Sequence, residues 1–142
     1  MNPDRTTTHI LLIEDDPALG AVTTEVLKHL GHEVDWMVSA NEAFVCLSQE
    51  HHFDAVMLDL GLGADDGATL VNALRKYGHA LPPLVVFSAQ PLDALRRAAG
   101  ITGALAILQK PCSASDLDEA LRRVLRHPAD SWAEPSWADA GE

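Results

Sequence analysis

Short apolar runs alternate along the chain with longer stretches whose apolar residues recur at helical spacing. Ile10-Leu11-Leu12-Ile13, Ala55-Val56-Met57-Leu58, Leu84-Val85-Val86-Phe87 and Ala104 to Leu108 have the length and continuity of strands covered on both faces, and Val34-Asp35-Trp36-Met37 reads as a fifth. Between them, Asp16-Pro17 opens a helix carrying Leu19, Val22, Val26, Leu27 and Leu30, and Gly31 stops it. Glu42 to Leu47 lies in a second helix with Ala43, Phe44 and Leu47 inward. Asp66 can cap a third that runs through Leu70, Leu74 and Tyr77 to Gly78, and Pro91 opens a short fourth ending at Gly100. Ser113 and Asp116 form an S-x-x-D capping box for the last helix, which fades near His127-Pro128.

Strands alternating with helices predict an α/β fold, a doubly wound five-stranded parallel sheet with helices on both faces. In such a sheet the crossovers are right-handed and ligands bind beyond the carboxyl ends of the strands. The residues just past the first, third, fourth and fifth strands are Glu14-Asp15, Asp59, Ser88 and Lys110. Three carboxylates, a hydroxyl and an amine are thus expected at one end of the sheet.

Length and charge narrow the picture. The 142 residues fit one domain, with residues 1–8 a polar N-terminus and 128–142 an acidic tail. Ten basic residues stand against 21 acidic ones, a net charge of −11, which argues against nucleic-acid or membrane binding. Cys46 and Cys112 have no metal-like spacing and suggest no disulfide framework, which suits a reducing cytoplasm. No apolar run is long enough for a membrane span or a signal-peptide core. In the tail, Trp132 and Trp137 each sit in Ser-Trp-Ala, either a flexible extension or an anchor for a partner.

Crowded carboxylates repel, so such a cluster needs a cation or shared protons. Glu14, Asp15 and Asp59 are hard oxygen donors of the kind magnesium prefers. Lys110 adds a fixed positive charge and Ser88 a donor, so the set suits phosphoryl transfer, where catalysis is mostly positioning and charge neutralisation. Taken singly, Ser88 also reads as a turn hydroxyl, Asp66 as a cap rather than a metal ligand, Cys46 as core, and the histidines as surface or packing residues.

Glu14-Asp15, Asp59, Ser88 and Lys110-Pro111 together resemble the signature of response-regulator receiver domains. The intervals also agree: 44 residues from Asp15 to Asp59, 29 on to Ser88 and 22 to Lys110. The resemblance spans residues 9–127 and implies a flavodoxin-like, CheY-like fold with strand order 2-1-3-4-5. It also implies that Asp59 is the phospho-acceptor, with Mg2+ or Mn2+ held by Glu14, Asp15, Asp59 and the Gly61 backbone carbonyl. Ser88 would be the switch hydroxyl, Lys110 the phosphoryl-binding lysine, and the bond before Pro111 cis. The donor would be a histidine kinase or a histidine phosphotransfer protein. Output would pass to a downstream protein or a homodimer through the fourth helix, fifth strand and fifth helix. The chain would then be a cytoplasmic signalling switch rather than an enzyme in its own right.

Two departures from the family pattern stand out. Ile107 replaces the usual aromatic residue three positions before the lysine, and Gly63 replaces a common proline after the acceptor. Gly63 relaxes φ and is expected to loosen the loop from Gly61 to Asp65. A stand-alone regulator and a receiver cut from a hybrid histidine kinase both fit. An Asp-nucleophile, magnesium-dependent phosphatase fits poorly, because Gly61 stands where a second Asp is required. A nucleotide-binding module lacks its phosphate-cradling glycine loop.

Overall fold

The computed structural model describes residues 7–49, 52–60 and 64–125. Its elements are β1 (Thr8–Ile13), α1 (Pro17–His29), β2 (His32–Met37), α2 (Ala40–Ser48), β3 (Ala55–Asp59), α3 (Ala64–Lys76), β4 (Leu84–Ser88), α4 (Leu92–Thr102), β5 (Ala106–Gln109) and α5 (Ala114–Leu125). All four strand pairings are parallel, and the order across the sheet is β2-β1-β3-β4-β5. The predicted fold class and strand order are therefore those of the molecule.

Strand alternation divides the core in two. Leu11, Ile13, Val56, Leu58, Leu84 and Val86 point to the face covered by α2, α3 and α4, where they meet Leu47, Leu70, Leu74 and Leu95. Ile10, Leu12, Met57, Val85, Phe87 and Leu108 point to the opposite face, under α1 and α5, and meet Leu27, Leu117 and Leu121. Every residue of β3 and β4 is buried, because these strands have neighbours on both edges and helices on both faces. Truncating fully buried Leu121 to alanine would cost about 2–5 kcal/mol in lost transfer energy and cavity formation.

Helix boundaries follow local hydrogen bonding. Asp16 caps α1, its Oδ1 accepting from the N–H groups of Ala18 and Leu19 at 2.9 and 3.1 Å. The α5 capping box forms reciprocally: Asp116 N–H donates to Ser113 Oγ at 3.0 Å and Ser113 N–H to Asp116 Oδ2 at 3.1 Å.

Several expected boundaries and faces are corrected. Thr8 belongs to β1 rather than to the polar N-terminus, and its hydroxyl bonds the His32 ring. Helix α3 begins at Ala64, so Asp66 lies in its first turn instead of before it, and Tyr77 lies past its end, 63% exposed. Gly100 does not end α4; the helix continues to Thr102, and Gly103 at φ 76° supplies the left-handed cap. Strand β5 starts at Ala106 rather than Ala104. On α1, Leu19 and Val22 face outward, 44% and 60% exposed, while Gly20 and Leu27 are buried.

Gly20 explains that rotation of α1. A Cβ there would stand 1.9 Å from the Trp36 indole, so the helix backbone lies directly on the ring and turns Gly20, not Leu19, toward the sheet. Among the described residues no helix is long and apolar enough to cross a membrane.

Candidate functional site

The alternation that sorts the core also builds the site. Glu14 follows β1, Asp59 ends β3 and Lys110 follows β5, each in step with residues that face α1 and α5. Ser88, at the end of β4, is in step with residues facing the other way. Glu14 is 1% exposed and Asp59 3%, so both carboxyl groups lie inside the protein while Asp15 faces solvent. Carboxylate oxygens of Glu14, Asp15 and Asp59 all lie within 4.8 Å of one another.

Lys110 answers part of this charge. Its Nζ lies 3.0 Å from Glu14 Oε1 and 3.2 Å from Asp59 Oδ1. Burial lifts the Glu14 carboxyl to about 7, helped by its hydrogen bond to Asp59, while Lys110 pulls the other way. Burial also works against the lysine's charge, but Glu14 and Asp59 outweigh it and hold Lys110 above its ordinary value. One ammonium facing three carboxyl groups leaves negative charge uncompensated, and the donors are all oxygens. That set fits a hard divalent cation such as magnesium.

Two aromatic residues seat the charged groups, and neither stands out in the sequence because each looks like strand core. The Phe87 ring, paired with Asp59 across the sheet, lies 4.6 Å from Lys110 Nζ in cation–π geometry. Trp36 Nε1–H donates to the Glu14 backbone carbonyl at 2.8 Å. The period-2 placement of Phe87, one residue before Ser88, is the only sequence signal that points to its role.

Ser88 is buried, and its Oγ accepts from Gln90 N–H at 3.0 Å, the turn role the sequence also allowed. Gln109 Nε2–H donates to Gln90 carbonyl at 3.0 Å and holds the same turn from β5. Ile107 is half-buried and packs against the α2–α3–α4 side of the core. The Lys110-Pro111 peptide is cis.

Gly61 and Gly63 lie outside the described residues, as does the tail with Trp132 and Trp137. His9 pairs with Asp35 at 3.2 Å and packs on Phe53, and His52 pairs with Asp54 at 3.1 Å. Burial raises both the Cys46 and Cys112 thiols above their ordinary value, which disfavours the reactive thiolate.

Comparison with known proteins gives a consistent result. A family model described as response regulator receiver domain matches residues 10–122. The transcriptional regulatory protein PmrA of Pectobacterium parmentieri is 32% identical over 118 residues, covering 82% of this chain and 52% of that protein. Ethylene receptor 2 of Oryza sativa subsp. japonica is 34% identical over 127 residues, 83% of this chain but 16% of the receptor. The chain thus spans about half or less of the length of these relatives. Among solved structures, a response regulator receiver protein from Burkholderia phymatum superposes with a TM-score of 0.71 at 25% identity, covering 83% of this chain and 94% of that one. The receiver domain of a sensor histidine kinase from Pseudomonas aeruginosa has a TM-score of 0.73 at 25% identity, covering 84% and 98%; it is described with a magnesium ion coordinated in its active-site cleft.

Proposed function

Because the chain belongs to the response-regulator receiver family of two-component signalling, we propose that it accepts a phosphoryl group on Asp59 from a phosphohistidine and changes its protein contacts in response. The observation that carries this reading is the Asp59 carboxylate, buried at a strand end with Lys110 Nζ at 3.2 Å and the Glu14 and Asp15 oxygens beside it. Magnesium would be held by Glu14, Asp15 and Asp59, with the Gly61 carbonyl as a further ligand, and would supply positive charge that offsets the repulsion between carboxylate and phosphoryl oxygens.

In the transfer, an Asp59 carboxylate oxygen forms the new P–O bond as the P–N bond of the phosphohistidine breaks. The bonding electrons stay with the imidazole nitrogen. Lys110 neutralises a phosphoryl oxygen, and Ser88 turns its hydroxyl from Gln90 to donate to another. The donor, a histidine kinase or histidine phosphotransfer protein, needs a seat beside Asp59. A groove of about 390 Å³ between α1 and α5, lined by Leu19, Val22, Phe87, Lys110, Pro111 and Leu117, supplies apolar contact next to the lysine. Output passes through α4, β5 and α5 to a downstream protein or a second copy.

A stand-alone cytoplasmic regulator is the first form of this reading. The likeness to the receiver domain of a sensor histidine kinase from Pseudomonas aeruginosa supports a second form, a receiver joined to a kinase. Incubation with acetyl phosphate and magnesium, followed by intact-mass spectrometry, tests the acceptor. Wild type should gain one phosphoryl group and Asp59→Asn none. Equal modification of both would refute the assignment.

A further inference from the structure

Glu14 is held through both its backbone and its side chain, and the end of β2 makes both backbone bonds. Its N–H donates to the Met37 carbonyl at 3.0 Å, and its carbonyl accepts from the Trp36 indole at 2.8 Å. The side chain is held separately: Oε1 by Lys110 at 3.0 Å and Oε2 by the Asp16 N–H at 3.3 Å. Trp36 also packs against the α1–α5 core and lies directly on the backbone of α1 at Gly20. One indole therefore touches the turn that carries Glu14 and Asp15 from β2, on one side of it, and from α1 on the other.

We propose that Trp36 is a positioning residue of the acidic pocket, its N–H and ring together holding the β1–α1 turn so that the Glu14 and Asp15 carboxylates converge with Asp59. The physical reason is the way the chain leaves β1. The register pairs of β1 end at Ile13 on both sides, with Leu58 of β3 and with Met37 of β2. The turn at Glu14 then has backbone partners only in β2 among the hydrogen bonds described. A phenylalanine at position 36 stays apolar, but it lacks the outer indole ring that lies on Gly20 and leaves the Glu14 carbonyl without its donor. A buried acceptor that loses its partner seeks another geometry or water, and either displaces the adjacent carboxylates. Tyrosine does not substitute, because its hydroxyl projects from the ring end and not from the edge where the indole N–H lies.

This inference rests on the reading of the pocket as a divalent-cation site, and the experiment separates the two. Magnesium affinity is measured by calorimetry for wild type, Trp36→Phe and Asp15→Asn, below the thermal transition of each. Amide hydrogen exchange at Glu14, Asp15 and Asp16 is followed without metal. Trp36→Phe should bind magnesium roughly 3- to 10-fold more weakly than wild type, the scale of one lost hydrogen bond. Exchange at the three amides should rise, while that of β3 and β4 stays unchanged. Unchanged affinity and unchanged exchange overturn the role of Trp36 and leave the metal site standing. A wild type that binds no magnesium overturns the metal site itself, and the positioning role with it. If Trp36→Phe proves too unstable, the wild-type protein suffices: the Trp36 indole N–H resonance should be protected from exchange and should shift on magnesium addition, and a freely exchanging, unresponsive signal overturns the proposal.

Discussion

Lys110 and Glu14 form an ion pair of 3.0 Å in which the carboxylate is almost wholly buried and the lysine side chain is 17% exposed. Asp59 shares the same ammonium at 3.2 Å. Removing one member of a buried ionic group leaves the others without compensation, which costs more than the pair contributes in net stability.

Lys110→Met should therefore destabilise the metal-free protein by about 3 kcal/mol at neutral pH, the usual scale for breaking a buried pair from one side. Denaturant unfolding in chelator measures it. Magnesium should restore part of the loss by supplying the missing charge. A variant as stable as wild type in chelator would mean that the carboxyl groups neutralise each other by sharing protons instead.

Glu14 gives the stability a pH dependence of definite sign. Its carboxyl titrates near 7 in the folded protein, against 4.5 ordinarily. The folded state thus binds the proton more tightly, and the stabilisation is complete below about 4.5 and vanishes as pH rises through about 7. Wild type in chelator should lose stability relative to Glu14→Gln over that interval, by on the order of 3 kcal/mol. Saturating magnesium, which favours the ionised carboxylate, should flatten or reverse the difference. Parallel pH curves for the two proteins in chelator would count against a protonated Glu14.

Asp15 should behave differently, since it is the exposed member of the cluster. Asp15→Asn should weaken magnesium binding yet change metal-free stability by less than about 0.5 kcal/mol, as solvated surface substitutions do. Calorimetric titration and unfolding of the same sample check both halves. A large gain in metal-free stability would mean that Asp15 contributes heavily to the repulsion inside the pocket.

Activation should register at Gln90 before it registers at Ile107. Ser88 Oγ accepts from Gln90 N–H, so turning the hydroxyl toward a phosphoryl group breaks that bond. Ile107 is stiff at χ1 and packed against the core, with few other rotamers to adopt. Beryllofluoride with magnesium should shift the amide signals of Ser88, Ala89 and Gln90 strongly and leave the Ile107 methyl rotamers as they were. A rotamer change at Ile107, read from its couplings by NMR, would restore it as a moving part of the switch.

The sheet was legible because continuous apolar runs admit few other readings, and the strand-end rule then collected Glu14, Asp15, Asp59 and Lys110 without further knowledge. What escaped was whatever tertiary contact decides. Leu19 and Val22 sit on an apolar stripe, but close approach of α1 to Trp36 at Gly20 turns them outward. Asp66 has the chemistry of a cap, yet α3 begins two residues earlier. Phe87 and Trp36 are ordinary strand residues by composition, and only the fold reveals that one lies against an ammonium and the other holds a carbonyl.

The contact between Gly20 and Trp36 also restricts how this sequence can drift. Any side chain at position 20 collides with the indole, while a small residue at position 36 leaves a void above a glycine that gains nothing by staying small. Each single step away from the pair is costly, and the two changes made together need not be. Positions 20 and 36 should therefore vary in concert among descendants of this chain, large against small, so that a helix position and a strand position far apart in sequence are inherited as one unit.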